Sequence, residues 1–300
     1  MRVRLIHILY DWGDAGGLLL ALLSANRDYL SPGLAGLFRN AGLAHVLALS
    51  GMHLSLFGLV AITIGRKIGG RRFSVKLSLL ALCIFVWFAG PSSSLNRALY
   101  MAIGMLLLKQ LGFVPKVLPV MAASCVFQLI VQPNDALTLS FLLSYSALLG
   151  ILTVGEALGF LTKKWLPDTV FSGISASVGA QCVSTPFIAA TIKILAPVGI
   201  ISSCVVSPLI SIFLIAGMFL VFLTILFPFS AFFCGKILSF LYRLIVIPVR
   251  FFSGFPLIIL EDLPAIITAV ILSITVSCSL CCFAAKNRCR RSVDVCFTEL

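Results

Sequence analysis

The sequence predicts an all-α integral membrane protein, a polytopic helical bundle of about eight or nine spans. Of its 300 residues, 60% are hydrophobic and only 11% are charged, whereas about a quarter of a soluble globular chain is charged. Mean hydropathy is +1.14. Apolar windows of about 20 residues, the length that crosses a bilayer, recur from residue 43 to residue 285. They leave no stretch for a separate water-soluble core, so we expect one membrane domain.

The first 42 residues are predicted to lie at the membrane interface. MRVRLIHILYDWGD begins with basic residues, but its apolar core is too short for a span or a signal peptide. GGLLLALLSANRDYLSPGLAGLFRNAG is typical of two short helices around a turn at Asn26–Asp28. Ser31 followed by Pro32 favours the start of the second helix. Such helices lie along the interface more readily than they cross it.

The membrane domain is predicted over residues 43–285, and a basic cytoplasmic tail over 286–300. The predicted spans are 43–64, 75–90, 98–114, 117–132, 137–155, 173–194, 198–226, 232–252 and 265–285. Several of these windows contain Gly, Pro or Ser breakers. Irregular backbone at membrane depth persists only where protein or a water-filled cavity surrounds it, so the breakers hint at a lined interior.

The net charge of +12 is explained first by basic cytoplasmic loops, although it would suggest nucleic acid in a soluble protein. The basic groups between spans are RKIGGRR (66–72) with Lys76, Lys109 with Lys116, Lys163 with Lys164, Lys236, and the tail. If the first span runs from outside to inside, all of them face one side, and QPND (132–135) and ED (261–262) face the other. This places the C-terminus in the cytoplasm and residues 1–42 outside, in a multi-pass protein of the cytoplasmic membrane.

Polar residues interrupt the first span, in HVLALSGMHLSLFGL (45–59). Ser50 and His53 would share a helix face, which invites comparison with a hydrolase. However, the run has no acidic residue to orient an imidazole, and the GxSxG pattern is not matched. His45 and His53 alone are too few for a metal site, and the scattered cysteines lack the paired spacing of a zinc site. Hydrogen bonding that packs helices or lines a path is favoured, and we expect no enzyme activity, metal or cofactor.

Two arginines within the apolar runs are candidates for anion binding. Arg97 stands beside Asn96 at the start of a span, where a cation and a helix N-terminus would both favour a phosphate or carboxylate. The alternative is an arginine that reaches to the outer interface. Arg243 lies near the middle of a span, and a charge inside the membrane indicates a functional site by default.

Four blocks of the sequence resemble the membrane core of the ComEC family, the competence proteins that pass DNA across the cytoplasmic membrane. The most specific is FRNAGLAHVLALSGMHLSLFGLV (38–60), and AGPSSSLNRALYMAIGML (89–106), QPNDALTLSFLLSYSALLGI (132–151) and SVGAQCVSTPFIAATIKILAPVGIISSCVVSPL (177–209) follow in the family's order and spacing. Together they cover about residues 17–215. Matching positions in the last three blocks include Arg97, Ser144, Pro186 and Pro208.

The sequence departs from the family pattern at two places. Ser202, Ser203 and Cys204 stand where an asparagine usually precedes the last proline, and Leu142 stands where glutamine is common. Full-length relatives also carry an outer nucleic-acid-binding barrel and a C-terminal metallo-β-lactamase-like domain. With about 40 residues before the first motif and 15 after residue 285, we expect neither domain in this sequence.

The resemblance implies a channel or permease component that takes up single-stranded DNA during natural transformation. Candidate residues along the translocation path are His45, Ser50, Gly51, His53, Asn96, Arg97, Ser144, Pro186, Pro208 and Arg243. The implied partners are single-stranded DNA, membrane lipid, a separate nuclease, a DNA receptor, a cytoplasmic motor and further copies of the chain. Two alternatives stay open: a degenerate family remnant that conducts nothing, and a carrier of a small anionic solute.

Overall fold

Helices make up nearly all of the structure, a computed structural model that describes residues 2–24, 30–47, 51–90, 92–162, 168–260 and 262–298. The helices are α1 (Arg2–Asp11), α2 (Gly13–Ser24), α3 (Pro32–Asn40), α4 (Gly51–Ala89), α5 (Ser93–Gln110), α6 (Val117–Val131), α7 (Leu139–Gly150), α8 (Glu156–Thr162), α9 (Asp168–Thr191), α10 (Gly199–Leu226), α11 (Ala231–Ser253) and α12 (Leu263–Thr298). Two short strands, β1 (Ile194–Leu195) and β2 (Ile258–Ile259), pair antiparallel. The all-α prediction is confirmed apart from this two-residue ladder.

Four helical stretches of the described chain are long and apolar enough to cross a membrane. They are Leu139–Gly159, Gly199–Leu226, Pro228–Ser253 and Leu263–Ala285. Gly13–Leu23 and Val117–Val131 are shorter apolar helices. Each of the nine predicted windows overlaps a helix, but the count of eight or nine spans stays a prediction.

The chain divides into two compact units. The first consists of Met1–Asp135 and Val205–Phe255, and the second of Ala136–Cys204 and Pro256–Leu300. We predicted one membrane domain, and no sequence pattern indicated this division. The proposed limits at residues 42 and 285 stay predictions.

In the first unit, α4 is a helical hairpin rather than one long helix. Gly69 and Gly70 have non-helical backbone angles, and the φ of 74° at Gly70 is one that glycine adopts without strain. The two arms pack closely near the turn. A Cβ built on Gly65 would lie only 2.6 Å from the Cα of Ser74 on the other arm. RKIGGRR therefore forms an exposed basic tip, as expected for a loop between two spans.

The core of the first unit is built around α2. Its residues Leu18–Leu23 are at most 5% exposed, and they belong to one apolar cluster with residues of α3, α4, α10 and α11. Leu19 fills the space left by Gly217, where a Cβ would come within 2.6 Å of it. The prediction that this segment lies in the membrane interface is not confirmed, since α2 is covered by protein. The start of α3 at Ser31 and Pro32 agrees with the sequence.

Trp12 fixes the turn between α1 and α2 against the start of α11. Its indole Nε1 donates a hydrogen bond to the carbonyl oxygen of Ala231 at 3.1 Å, and a Cβ on Gly235 would lie 2.7 Å from its ring. Lys236 therefore lies at the same end of this unit as Trp12. The predictions that residues 1–42 lie outside and that Lys236 is cytoplasmic cannot both hold for this turn. The positive-inside rule favours the cytoplasmic position of Lys236.

We therefore expect the N-terminus to lie on the basic side of the membrane. The ten residues of α1 are too few to cross a bilayer, which takes about 20. An epitope fused to Met1 of the full chain should resist protease added outside intact spheroplasts, as should a tag after Leu300. A tag inserted in the 132–135 turn should be cleaved. Cleavage of the Met1 tag together with the 132–135 tag would contradict this topology.

The second unit is held together by α9. This helix packs on α7 and on the π-helical turn Ile151–Gly155, which continues α7. It also packs on α8 and α12. The pairing of β1 with β2 brings the end of α9 and the start of α12 to the same end of the unit. That agrees with the predicted topology, in which the 194–199 and 253–262 loops share the outer side.

Candidate functional site

The N-terminus of α5 carries the candidate site. Ser92 caps the helix by accepting a hydrogen bond from the backbone N–H of Leu95 at 3.3 Å, and Gly90, with φ of 91°, provides the sharp turn out of α4. Arg97 follows one turn into the helix. Its side chain is half-buried, and its Nε atom is shielded from solvent. The positive end of the α5 dipole and the guanidinium thus lie within one turn of each other.

Gly51 and Arg97 come together across two helices. A Cβ placed on Gly51 would lie 3.3 Å from Nη2 of Arg97 and 3.4 Å from Cβ of Ala98. The guanidinium therefore lies directly over the first residue of α4, where any larger side chain would crowd it. This contact joins the first and second sequence blocks. Gly51 and Arg97 were predicted separately as path residues, one from each block.

A polar network of glutamine and asparagine side chains connects α5 to α6. Gln128, which is fully buried, donates through Nε2 to the carbonyl oxygen of Ser93 at 3.0 Å and to Oδ2 of Asp135 at 2.7 Å. Asn96 donates through Nδ2 to Oε1 of Gln132 at 2.7 Å. Buried amides that are fully hydrogen-bonded rigidify their surroundings. The network therefore fixes the helix end on which Arg97 stands.

The network and the basic tip of α4 lie at opposite ends of the hairpin. Gly51 begins the first arm and contacts Arg97, whereas Arg66 and Arg72 flank the tip. Each arm of about 18 residues is about 27 Å long, close to the thickness of a bilayer core. If the basic tip is cytoplasmic, Arg97 lies at the outer end of the path.

The structure describes the two histidines of the first block only in part. His45 lies in the turn between α3 and α4, with its side chain open to the surface. The protein around it nevertheless desolvates the imidazole and lowers its pKa from 6.5, and a backbone hydrogen bond with Gly42 opposes this in part. A lowered pKa favours the neutral imidazole. Ser50 lies outside the described residues, as does the side chain of His53.

The other predicted path residues lie elsewhere. Ser144 in α7 and Pro186 in α9 are half-buried in the second unit. Pro208 is exposed on α10, and Arg243 is exposed on α11 beside the α1–α2 turn. In the first unit the structure thus brings together Gly51, Asn96 and Arg97, and it does not bring Pro208 or Arg243 to them.

Pro186 has a structural explanation. Proline has no N–H for the carbonyl four residues earlier, which here is that of Cys182. The hydroxyl of Ser273 on α12 donates to this carbonyl. A side chain from a neighbouring helix thus satisfies the group that proline releases, as membrane helices require.

We expect Ser273 and Pro186 to be energetically coupled. Ser273→Ala should destabilise the protein by about 1–3 kcal/mol, the cost of a buried group left without a partner. In a Pro186→Ala background, the new backbone N–H of residue 186 can donate to the carbonyl oxygen of Cys182. Ser273→Ala should then lower the free energy of unfolding much less. Thermal unfolding in detergent measures the cost of Ser273→Ala in each background. Ser277→Ala is the control, since its hydroxyl bonds within α12 at 2.8 Å, and equal costs in both backgrounds would contradict the coupling.

Among the described residues, no three His, Cys, Asp or Glu side chains come close enough to hold a metal ion. The described cysteines are unpaired thiols. The groups that the structure describes at the α5 end are a guanidinium, amides, a carboxylate and a helix N-terminus. A guanidinium and a helix N-terminus bind and orient an anion.

A family model described as Competence, competence protein, matches residues 22–286. The chain belongs to this family. The resemblance to the ComEC membrane core is thus confirmed over most of the sequence, and the match includes both the α4 start and the α5 end of the site. No curated protein and no solved structure matches the chain.

Sequence reasoning missed Ser93, Gln128, Gln132 and Asp135 as parts of the competence protein's site. Gln128 and Gln132 were visible as two amides in and just after an otherwise apolar window. Polar side chains at membrane depth need partners. Those amides could therefore have been flagged, but their partners 35 and 36 residues earlier could not.

Proposed function

We propose that this competence protein forms part of the path by which single-stranded DNA crosses the cytoplasmic membrane, and that Arg97 binds the DNA backbone near the outer entrance. The observation that carries the proposal is the seating of the Arg97 guanidinium over Gly51, within motifs of a competence family. Family membership supports a role in competence, and the contact supplies a cation where a phosphate would enter.

A DNA strand that crosses a membrane needs compensation for the charge of its phosphates. A phosphodiester strand carries one charge per nucleotide, and moving such charges into a low-dielectric slab is costly unless cations or dipoles replace the lost water. A guanidinium forms paired, charge-assisted hydrogen bonds with phosphate oxygens. Arg97 meets this requirement together with the N–H groups at the start of α5.

The surrounding amides support this role by holding the helix end in place. Gln128 links the first turn of α5 to Asp135 beyond α6, and Asn96 links the next turn to Gln132. Asp135 accepts from the same Nε2 atom of Gln128 that donates to Ser93, so the network includes a carboxylate. We expect this carboxylate to keep an entering phosphate from being held too tightly, as passage along a path requires.

Under this proposal, force and strand degradation come from other proteins. The 300 residues contain neither a P-loop for nucleotide hydrolysis nor paired acidic residues for a two-metal nuclease. A cytoplasmic motor, a nuclease, an outer DNA receptor and further copies of the chain are therefore the partners we propose.

The test is entry of end-labelled donor DNA into a nuclease-protected cytoplasmic pool. We expect protected, single-stranded label with the intact gene and none in a deletion strain, restored by the gene in trans. Uptake that is unchanged in the deletion would overturn the proposal. Loss of a small anionic solute's uptake in the same deletion, with DNA entry intact, would support the carrier alternative.

A further inference from the structure

A groove of about 660 Å³ runs along the first unit beside the start of α11. One wall is the turn between α1 and α2, with Asp11 and Trp12, and the other is the face of α11 that carries Lys236, Ser239 and Arg243. The Arg97 site does not use these residues. Nothing in the proposed DNA path accounts for them.

The groove is cationic and aligned along one helix face. Lys236, Ser239 and Arg243 follow at intervals of three and four residues, so they lie in one row. Lys236 and Arg243 are both exposed, and Asp11 is the acidic residue among the described side chains that line the groove. Nζ of Lys236 lies 4.3 Å from the ring centroid of Phe232, which also lines the groove.

Apolar side chains surround these cations on the outer surface of α11. The exposed ones are Phe232 (65%), Phe233 (68%), Ile237 (51%) and Phe240 (63%). Exposed aromatic and aliphatic groups on a membrane-spanning helix contact acyl chains. A ligand that presents a phosphate and hydrocarbon side by side fits this surface, whereas a nucleic acid strand would leave the hydrocarbon contacts unused.

We infer that this groove binds the head group of an anionic phospholipid from the leaflet on the Lys236 side. Basic pockets beside membrane helices recognise such head groups, and an aromatic residue such as Trp12 suits the interface. Lys236 and Arg243 lie seven residues apart, about 10 Å along the axis. Because arginine extends toward the head-group level, both cations can reach one lipid's phosphate region.

The inference also explains how Arg243 persists in the span Pro228–Ser253. A charge at that depth is costly unless it has a partner. The lipid phosphate provides one, and the hydrogen bond from Trp12 to Ala231 joins the two walls of the groove. This inference does not depend on the proposed DNA path.

The test is native mass spectrometry of the full chain, purified in detergent and mixed with equal phosphatidylglycerol and phosphatidylcholine. We expect selective retention of phosphatidylglycerol, reduced about tenfold in the double variant Lys236→Gln, Arg243→Gln. The matched control is Lys109→Gln, Lys116→Gln, which removes two exposed cations at the turn between α5 and α6 and should retain lipid normally.

Four results would overturn the inference. The first is equal retention of both lipids, and the second is equal loss in the control pair. The third is displacement of the lipid by a labelled single-stranded oligonucleotide whose binding needs the same two cations, which would make the groove a DNA site. Inorganic phosphate at millimolar concentration should not displace the lipid, and displacement would make the groove a simple anion site. DNA entry through Arg97 is measured separately, so the two proposals fail independently.

Discussion

Arg97→Gln should reduce the entry of donor DNA by about tenfold to a hundredfold while the protein still inserts at its normal level. The reason is the loss of charged hydrogen bonds to a phosphate, at roughly 1.5–3 kcal/mol. Glutamine keeps a polar amide on a shorter side chain and removes the charge. The glutamine side chain should pack against Gly51 without a clash. The atom of Arg97 that approaches Gly51 most closely, Nη2 at 3.3 Å from a Cβ built on that glycine, is absent from glutamine.

Two further variants make this test specific. Arg97→Lys keeps the charge but not the paired donor geometry, so it should fall between the wild type and Arg97→Gln. Lys109→Gln removes a cation from the opposite end of the same helix and should leave uptake unchanged. Normal DNA entry in Arg97→Gln, or an equal loss in Lys109→Gln, would show that Arg97 is not a phosphate contact.

The helices of this protein were predictable because the signals for them are local. Hydropathy windows located the helical segments, and Ser31 with Pro32 marked the start of α3. The first predicted span nevertheless begins too early, at residue 43 rather than at Gly51. Leu43, Val46 and Leu47 are apolar and buried, but residues 43–47 form turns. Continuous apolar sequence cannot show where the backbone leaves the helix.

The site was predictable residue by residue but not as an assembly. Gly51, Asn96 and Arg97 stood out as a glycine, an amide and a cation within apolar runs. Their association depends on the packing of α4 against α5, which no local pattern reports. Arg243 illustrates the limit, because it also stood out as a cation within an apolar run and only the fold places it by Trp12.

The glycine contact between α7 and α9 shows a further kind of information that the sequence hides. Gly150 and Gly155 are five residues apart, so a regular α-helix, at about 100° per residue, would point them in different directions. The π-helical turn Ile151–Gly155 brings both against Gly179: a Cβ there would lie 2.5 Å from the oxygen of Gly150 and 2.6 Å from the nitrogen of Gly155. The turn thus creates a flat backbone surface for α9.

Gly179→Ala should therefore be among the most damaging single substitutions in the second unit. The added methyl meets backbone atoms on the opposing helix, which cannot move as a side chain can. The helices must separate, and overpacking of this kind costs about 1–3 kcal/mol or more. Close approach through small residues supplies much of the association energy of membrane helices. We expect a clear fall in melting temperature for Gly179→Ala and failure to accumulate for Gly179→Val.

Gly159→Ala is the matched control, since it lies on α8 in the same unit and a Cβ there meets nothing within 4 Å. Alanine favours a helix over glycine by roughly 0.5–1 kcal/mol, so this variant should be as stable as the wild type or slightly more so. The two substitutions add the same methyl group to helical glycines and differ only in what that methyl meets. Equal melting temperatures for the two variants would therefore mean that α9 does not pack on Gly150 and Gly155.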